Sequence, residues 1–147
     1  MKVDAIVRNR MPVGGIDVTV AALVALDCLV INALVVHSVP TLTVDSLGPI
    51  AVAYHDKAPG PLAVAVVVVI LLLGSLLRGI GRIATLVFVG GALANFASPT
   101  IWGAVPDYIV FRKVDMVVNL ADILIVAAGT LVVAVLVARL ICARLGR

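Results

Sequence analysis

Four long apolar runs, separated by polar stretches, constrain this chain more than any other feature of it. They cover roughly Ile16 to Val36, Pro61 to Leu77, Ile83 to Ala97 with a possible continuation to Trp102, and Val117 to Ile141. A bilayer core of about 30 Å takes about 20 helical residues to cross, and each run approaches that length. The second run, rich in Val between Ala63 and Leu73, would favour a strand in water. In lipid an isolated strand leaves its backbone groups unpaired, so a helix is expected. Composition agrees. Of 147 residues 63% are hydrophobic, 13% are charged and none is Glu, whereas a soluble domain is usually about half apolar. The expected fold is an all-α membrane protein, a single integral membrane domain over residues 1–147 with four transmembrane helices.

The connections carry further information. Arg78-Gly79-Ile80-Gly81-Arg82 makes a tight basic turn between the second and third helices. From His37 to Gly60 the chain is long, and the alternation of Leu42 with Val44 and of Ile50 with Val52 predicts a small β region at the membrane surface. The loop from Ser98 to Met116 holds Trp102, Tyr108 and Phe111, residues suited to anchor at the interface. With both termini cytoplasmic, the inner side holds Lys2, Arg8, Arg10, Arg78, Arg82, Arg139, Arg144 and Arg147, and the outer side only Lys57, Arg112 and Lys113. This positive-inside asymmetry sets the orientation. The first run is too long for a cleaved signal segment and no small-x-small site follows it, so it reads as a retained helix. The net charge of +3 is scattered between apolar segments and forms no patch, so a nucleic-acid partner is not indicated.

Two aspartates stand out. Asp107 lies in Val105-Pro106-Asp107-Tyr108 and Asp122 in Asn119-Leu120-Ala121-Asp122, both at the outer face in this topology. A carboxylate in lipid costs several kcal/mol unless paired or neutralised. Two carboxylates that converge can share one proton, the chemical basis of aspartyl proteolysis. Asn119 and Asp122 are three residues apart and share a helical face. In the third run, Gly90-Gly91-Ala92-Leu93-Ala94-Asn95 offers small residues for close helix approach and brings Asn95 toward the same place. The alternative is that these Asn and Asp side chains only glue helices together, at about 0.6–2 kcal/mol per hydrogen bond. Asp27, in the middle of the first run, is expected to be protonated or bonded to a neighbouring helix, in a structural or a functional role. Cys28 and Cys142 lie too far apart along their helices for a disulfide and read as small apolar fillers. His37 and His55 do not suggest a ligand pair, and no cofactor or metal is implied.

The motifs Gly90-Gly91-Ala92-Leu93-Ala94-Asn95, Val105-Pro106-Asp107-Tyr108-Ile109 and Asn119-Leu120-Ala121-Asp122, in this order, resemble the C-terminal half of the lipoprotein signal peptidases, or signal peptidase II. The resemblance implies a bacterial inner-membrane aspartyl protease that removes the signal peptide just before a lipid-modified cysteine. It places Asp107 and Asp122 on the catalytic pair, Asn95 and Asn119 on supporting positions, and Asp27 on the first-helix Asp. Asp56, in His55-Asp56-Lys57-Ala58-Pro59, is a further supporting candidate, in the stretch nearest the family's outer-loop motif. The departures are specific. The family's Asp-Arg pair after the Asn is here Ser98-Pro99, and the Lys four residues after its first-helix Asp is here Ile31. The implied partners are membrane lipid and a lipid-modified precursor as substrate. The competing expectation is a catalytically inactive relative that binds a partner protein or lipid, with the stretch from His37 to Gly60 as its docking surface.

Overall fold

The computed structural model describes residues 15–38, 50–55, 60–111 and 116–146. In chain order the elements are α1 (Gly15–Ser38), β1 (Ile50–His55), α2 (Pro61–Ser75), α3 (Ile80–Trp102), β2 (Val105–Phe111), β3 (Met116–Val118) and α4 (Leu120–Arg144). α1, α3 and α4 are long and apolar enough to cross a membrane. α2 is apolar but has only 15 residues, about 22 Å of helix, against the full span expected to Leu77. Pro61 at its first turn is preset for helix. At its other end Leu76 and Leu77 fold their N–H groups back onto the carbonyls of Leu73 and Gly74. Gly79, at φ +57°, then starts α3, a backbone conformation that favours glycine.

α3 is the central helix, and α1, α2 and α4 all pack on it. Adjacent glycines make this possible on two sides. A Cβ on Gly90 would lie 2.6 Å from Val24 Cβ of α1, and one on Gly91 would lie 3.1 Å from the Ala121 carbonyl of α4. Van der Waals packing through such small residues drives helix association where lipid removes the hydrophobic incentive. One apolar cluster joins Leu77, Ala84, Phe88, Ala128 and Val132. A second joins Cys28, Ala94 and Ala121 between α1, α3 and α4, so Cys28 is a buried filler as expected. α1 and α3 run parallel: Asp17 pairs with Arg82, Val24 meets Gly90 and Cys28 meets Ala94. Away from these contacts the helices expose large apolar side chains, among them Leu62, Leu72, Val126 and Leu140, as a lipid solvent permits.

α3 runs through Pro99 to Trp102, taking the continuation that the sequence leaves open beyond Ala97. Pro99 removes only the bond its N–H would give to the Asn95 carbonyl, and membrane helices tolerate such a gap. The segment after α3 is not an irregular loop. It forms β2 and β3, which with β1 make a three-stranded antiparallel sheet in the order β1-β2-β3. β2 is central, with Asp107 opposite Ala53 and Ile109 opposite Val118. β1 contains Ile50 and Val52, within the expected β region, while Leu42 and Val44 lie outside the described residues.

Candidate active site

The site forms where the central strand meets the start of α4. Asn119 caps α4: its Oδ1 accepts the Asp122 N–H at 3.0 Å, and the Asn119 N–H reaches Asp122 Oδ2 at 3.1 Å. This reciprocal pair, a capping box, fixes both side chains to the first turn. From α3, Asn95 Nδ2 donates to Asp122 Oδ1 at 2.7 Å. From β2, Asp107 Oδ1 accepts a bond from Asn119 Nδ2 at 2.9 Å, and the same Nδ2 donates to Asn95 Oδ1 at 3.2 Å. The two amide hydrogens of Asn119 thus serve one carboxylate and one carboxamide. Reversing that amide would set its oxygen against both acceptors, so its orientation is fixed by chemistry.

Asn119 is fully buried, and the two aspartates and Asn95 are half-buried. Both carboxylates therefore bond to one asparagine, at a place between dry core and surface. Asn95, Asn119, Asp107 and Asp122, singled out in the sequence, are brought together. Tyr108, expected to anchor at the interface, is instead buried, and its hydroxyl accepts the Leu120 N–H at 3.2 Å. Burial pushes its phenol above the ordinary value of 10.0, against the lowering effect of the Leu120 bond, and nearby Cys28, Asp122 and Asp107 push the same way as burial.

Asp27 does not join this group. Cys28 and Asn32 mark the buried face of α1, and Asp27 points about 100° away from Cys28, where it is exposed. The expected bond to a neighbouring helix is absent among the described residues. Asp56 lies outside the described residues. His37 Nδ1 bonds the Ala33 carbonyl of its own helix at 2.7 Å. Among the described residues no group of three or more His, Cys, Asp or Glu could hold a metal ion. Asn32 was not anticipated. It is fully buried, and neither amide atom has a hydrogen-bond partner among the described residues. The α1–α3 register that sets Cys28 beside Ala94 puts Asn32 level with Ser98. A lone Asn one turn beyond Cys28 in an apolar run is the signal that marks it.

The family model described as signal peptidase (SPase) II matches residues 57–138, more than half of the chain. The chain belongs to the signal peptidase II family. That family is one of aspartyl proteases that process lipoproteins in bacterial membranes. The fold is similar to a solved structure described as a bacterial membrane enzyme obtained by the in meso method at 2.3 Å. That similarity has a TM-score of 0.61 at 18% identity and covers 84% of this chain and 88% of the other. A search of curated proteins returned no match. Against the signal peptidase II pattern, the Asp-Arg positions are occupied by a fully buried Ser98, whose hydroxyl donates to the Ala94 carbonyl at 2.8 Å, and by the in-helix Pro99.

Proposed function

We propose that this chain is an aspartyl endopeptidase of the bacterial cytoplasmic membrane that cleaves the signal peptide of a lipid-modified precursor at the outer face. In this reading Asp107 and Asp122 are the catalytic pair and Asn95 and Asn119 hold them. The observation that carries it is that carboxylates from two separate elements, β2 and α4, bond to the same buried asparagine. Helix glue needs only one of them.

The chemistry follows from a pair that shares one proton. The ionised aspartate takes a proton from water as the water oxygen attacks the scissile carbonyl carbon. The protonated aspartate donates to the carbonyl oxygen. Collapse of the tetrahedral intermediate returns a hydroxyl proton to the aspartate that gave one, re-forms the carbonyl and breaks the C–N bond. The proton taken from water passes to the leaving amine, which restores the pair to one proton. Asn95 and Asn119 donate to the carboxylates, so they hold the acceptor oxygens in place without supplying or removing protons. An open groove of about 360 Å³, lined by Leu62, Val66, Phe88, Ala92, Phe96 and Ile125, has Asn95 in its wall. An apolar segment of the substrate lying there would end beside the dyad.

The topology belongs to the same proposal. Both termini are cytoplasmic, and α2, extended by Leu76 and Leu77, serves as a fourth short span, accommodated by local thinning of the bilayer. The test is a cleavage assay of the purified full chain on a diacylated prolipoprotein, with the new N-terminus read by mass spectrometry. Cleavage just before the lipid-modified cysteine is expected. Failure to cut any lipoprotein precursor would leave the non-catalytic, partner-binding reading in its place.

A further inference from the structure

The ladder between β2 and β3 pairs Phe111 with Met116, Val110 with Val117 and Ile109 with Val118. One step further, Tyr108 would face Asn119, but there the chain turns into α4. A helix start carries four backbone N–H groups with no acceptor in the helix. Asn119 takes the one from Asp122. The Tyr108 hydroxyl, from a neighbouring strand, takes the one from Leu120. Tyr108 is 5% exposed and Leu120 is half-buried, so the bond lies at the edge of the packed core. Two adjacent residues of β2, Asp107 and Tyr108, therefore bond two adjacent residues at the start of α4, Asn119 and Leu120.

We propose that Tyr108 is a positioning residue of this site, holding the strand that carries Asp107 at a fixed separation from the helix that carries Asp122 through its bond to the Leu120 N–H. This rests on the peptidase reading above. The ladder stops at Ile109 and Val118. Beyond it the Asp107–Asn119 and Tyr108–Leu120 bonds continue the tie between β2 and the start of α4, and the Tyr108 bond does so without using a carboxylate. Tyr108 touches neither water nor scissile bond in this role, so its effect falls on the rate of the chemical step and leaves substrate binding alone. The position accepts Phe on volume, but Phe has no oxygen to offer Leu120.

The full chain, in detergent, is assayed on a diacylated prolipoprotein as wild type and as Tyr108→Phe, with helix content and melting followed in parallel. The expected result is a kcat lower on the order of tenfold, with KM within about twofold, in a variant that is as fully folded as wild type. A residue that served stability alone would lower the folded fraction and leave kcat per folded molecule unchanged. A wild type that cleaves beside a Tyr108→Phe variant of equal kcat overturns the positioning role and leaves the peptidase reading standing. A wild type that cuts nothing overturns both. Should the variant not fold, amide exchange of Leu120 in the wild type decides. Protection of more than about tenfold over an open chain supports the clamp, and exchange at the open-chain rate overturns it.

Discussion

At the scale of single residues, the polar groups of this chain fall into satisfied and unsatisfied sets. Asn119 places three bonds and Asp122 accepts through both oxygens, while Asn32 places none among the described residues. A buried polar group without a partner costs about 1–3 kcal/mol, and replacing it by an apolar group of similar shape is neutral or stabilising. Asn32→Leu is therefore expected to melt at the same temperature as wild type or higher, in detergent, with cleavage retained. A drop in melting temperature would mean that the amide is satisfied by an internal water that Leu displaces. Tyr108 gives a pH test. Its phenol titrates above 10.0 in the fold because burial disfavours the phenolate. A raised folded value means that its contribution to stability is complete below the ordinary value of 10.0 and is lost as pH rises through the folded value. Melting temperature should thus fall more steeply above pH 10 for wild type than for Tyr108→Phe. Parallel curves would contradict the burial effect.

At the scale of elements, α3 organises the molecule by offering Gly90 to α1 and Gly91 to α4. Gly91 lies one turn before Asn95, and its α4 contact is Ala121, next to Asp122. Gly91→Val should force the two helices apart, destabilising the protein by about 1–3 kcal/mol and lowering the cleavage rate as Asn95 leaves Asp122. Gly60→Ala, with nothing within 4 Å of the added carbon, replaces only a favoured N-cap residue of α2 and should leave the cleavage rate unchanged. Equal losses of cleavage at both positions would remove the packing argument. Much of this was legible in the sequence. The small-residue run and the Asn and Asp residues are conspicuous in an apolar chain, because each carries a cost that lipid exposes. The ends of elements were harder to read. Pro99 would stop a helix in water, but here it costs one hydrogen bond in a helix held by its neighbours. β2 and β3 depend on pairing between residues brought together by the fold, and no local alternation announces them. Tyr108 reads as an interface aromatic on residue type, and only the turn from β3 into α4 reveals the N–H that draws its hydroxyl inward. Asp27, for which the sequence leaves open a protonated carboxyl or a bond to a neighbouring helix, lies on the exposed side because helical phase gives the packed face to Cys28 and Asn32.

For the whole molecule, the ion pair of Asp17 with Arg82 joins the first turns of α1 and α3, at the end away from the aspartates. Arg139 Nη1 bonds the Leu76 carbonyl at 3.1 Å and ties α4 to the end of α2. These basic groups gather at one end of the helices and the carboxylate site at the other, so orientation and function make one claim. Cysteines introduced at the exposed Ser75 and Thr100, in a background without Cys28 and Cys142, should label from opposite sides of the membrane, Ser75 from the cytoplasm. Labelling of both from one side would contradict the topology, and labelling of Ser75 from outside would invert the site.

The central claim is that Asp107 and Asp122 act as one catalytic unit, and the rates of the single and double variants test it most directly. The full chain is assayed on a diacylated prolipoprotein as wild type, Asp107→Asn, Asp122→Asn and both together, with folding confirmed for each. Asn keeps the volume but cannot take up or release the proton, and at Asp122 it keeps one of the two accepted bonds, which is why folding is confirmed alongside. Each single change should reduce cleavage by several orders of magnitude, and the double change should cost little more than either alone, because residues that work as a unit are grossly non-additive. Losses that multiply, or a single variant that keeps near wild-type cleavage, would show that the two carboxylates do not share the reaction.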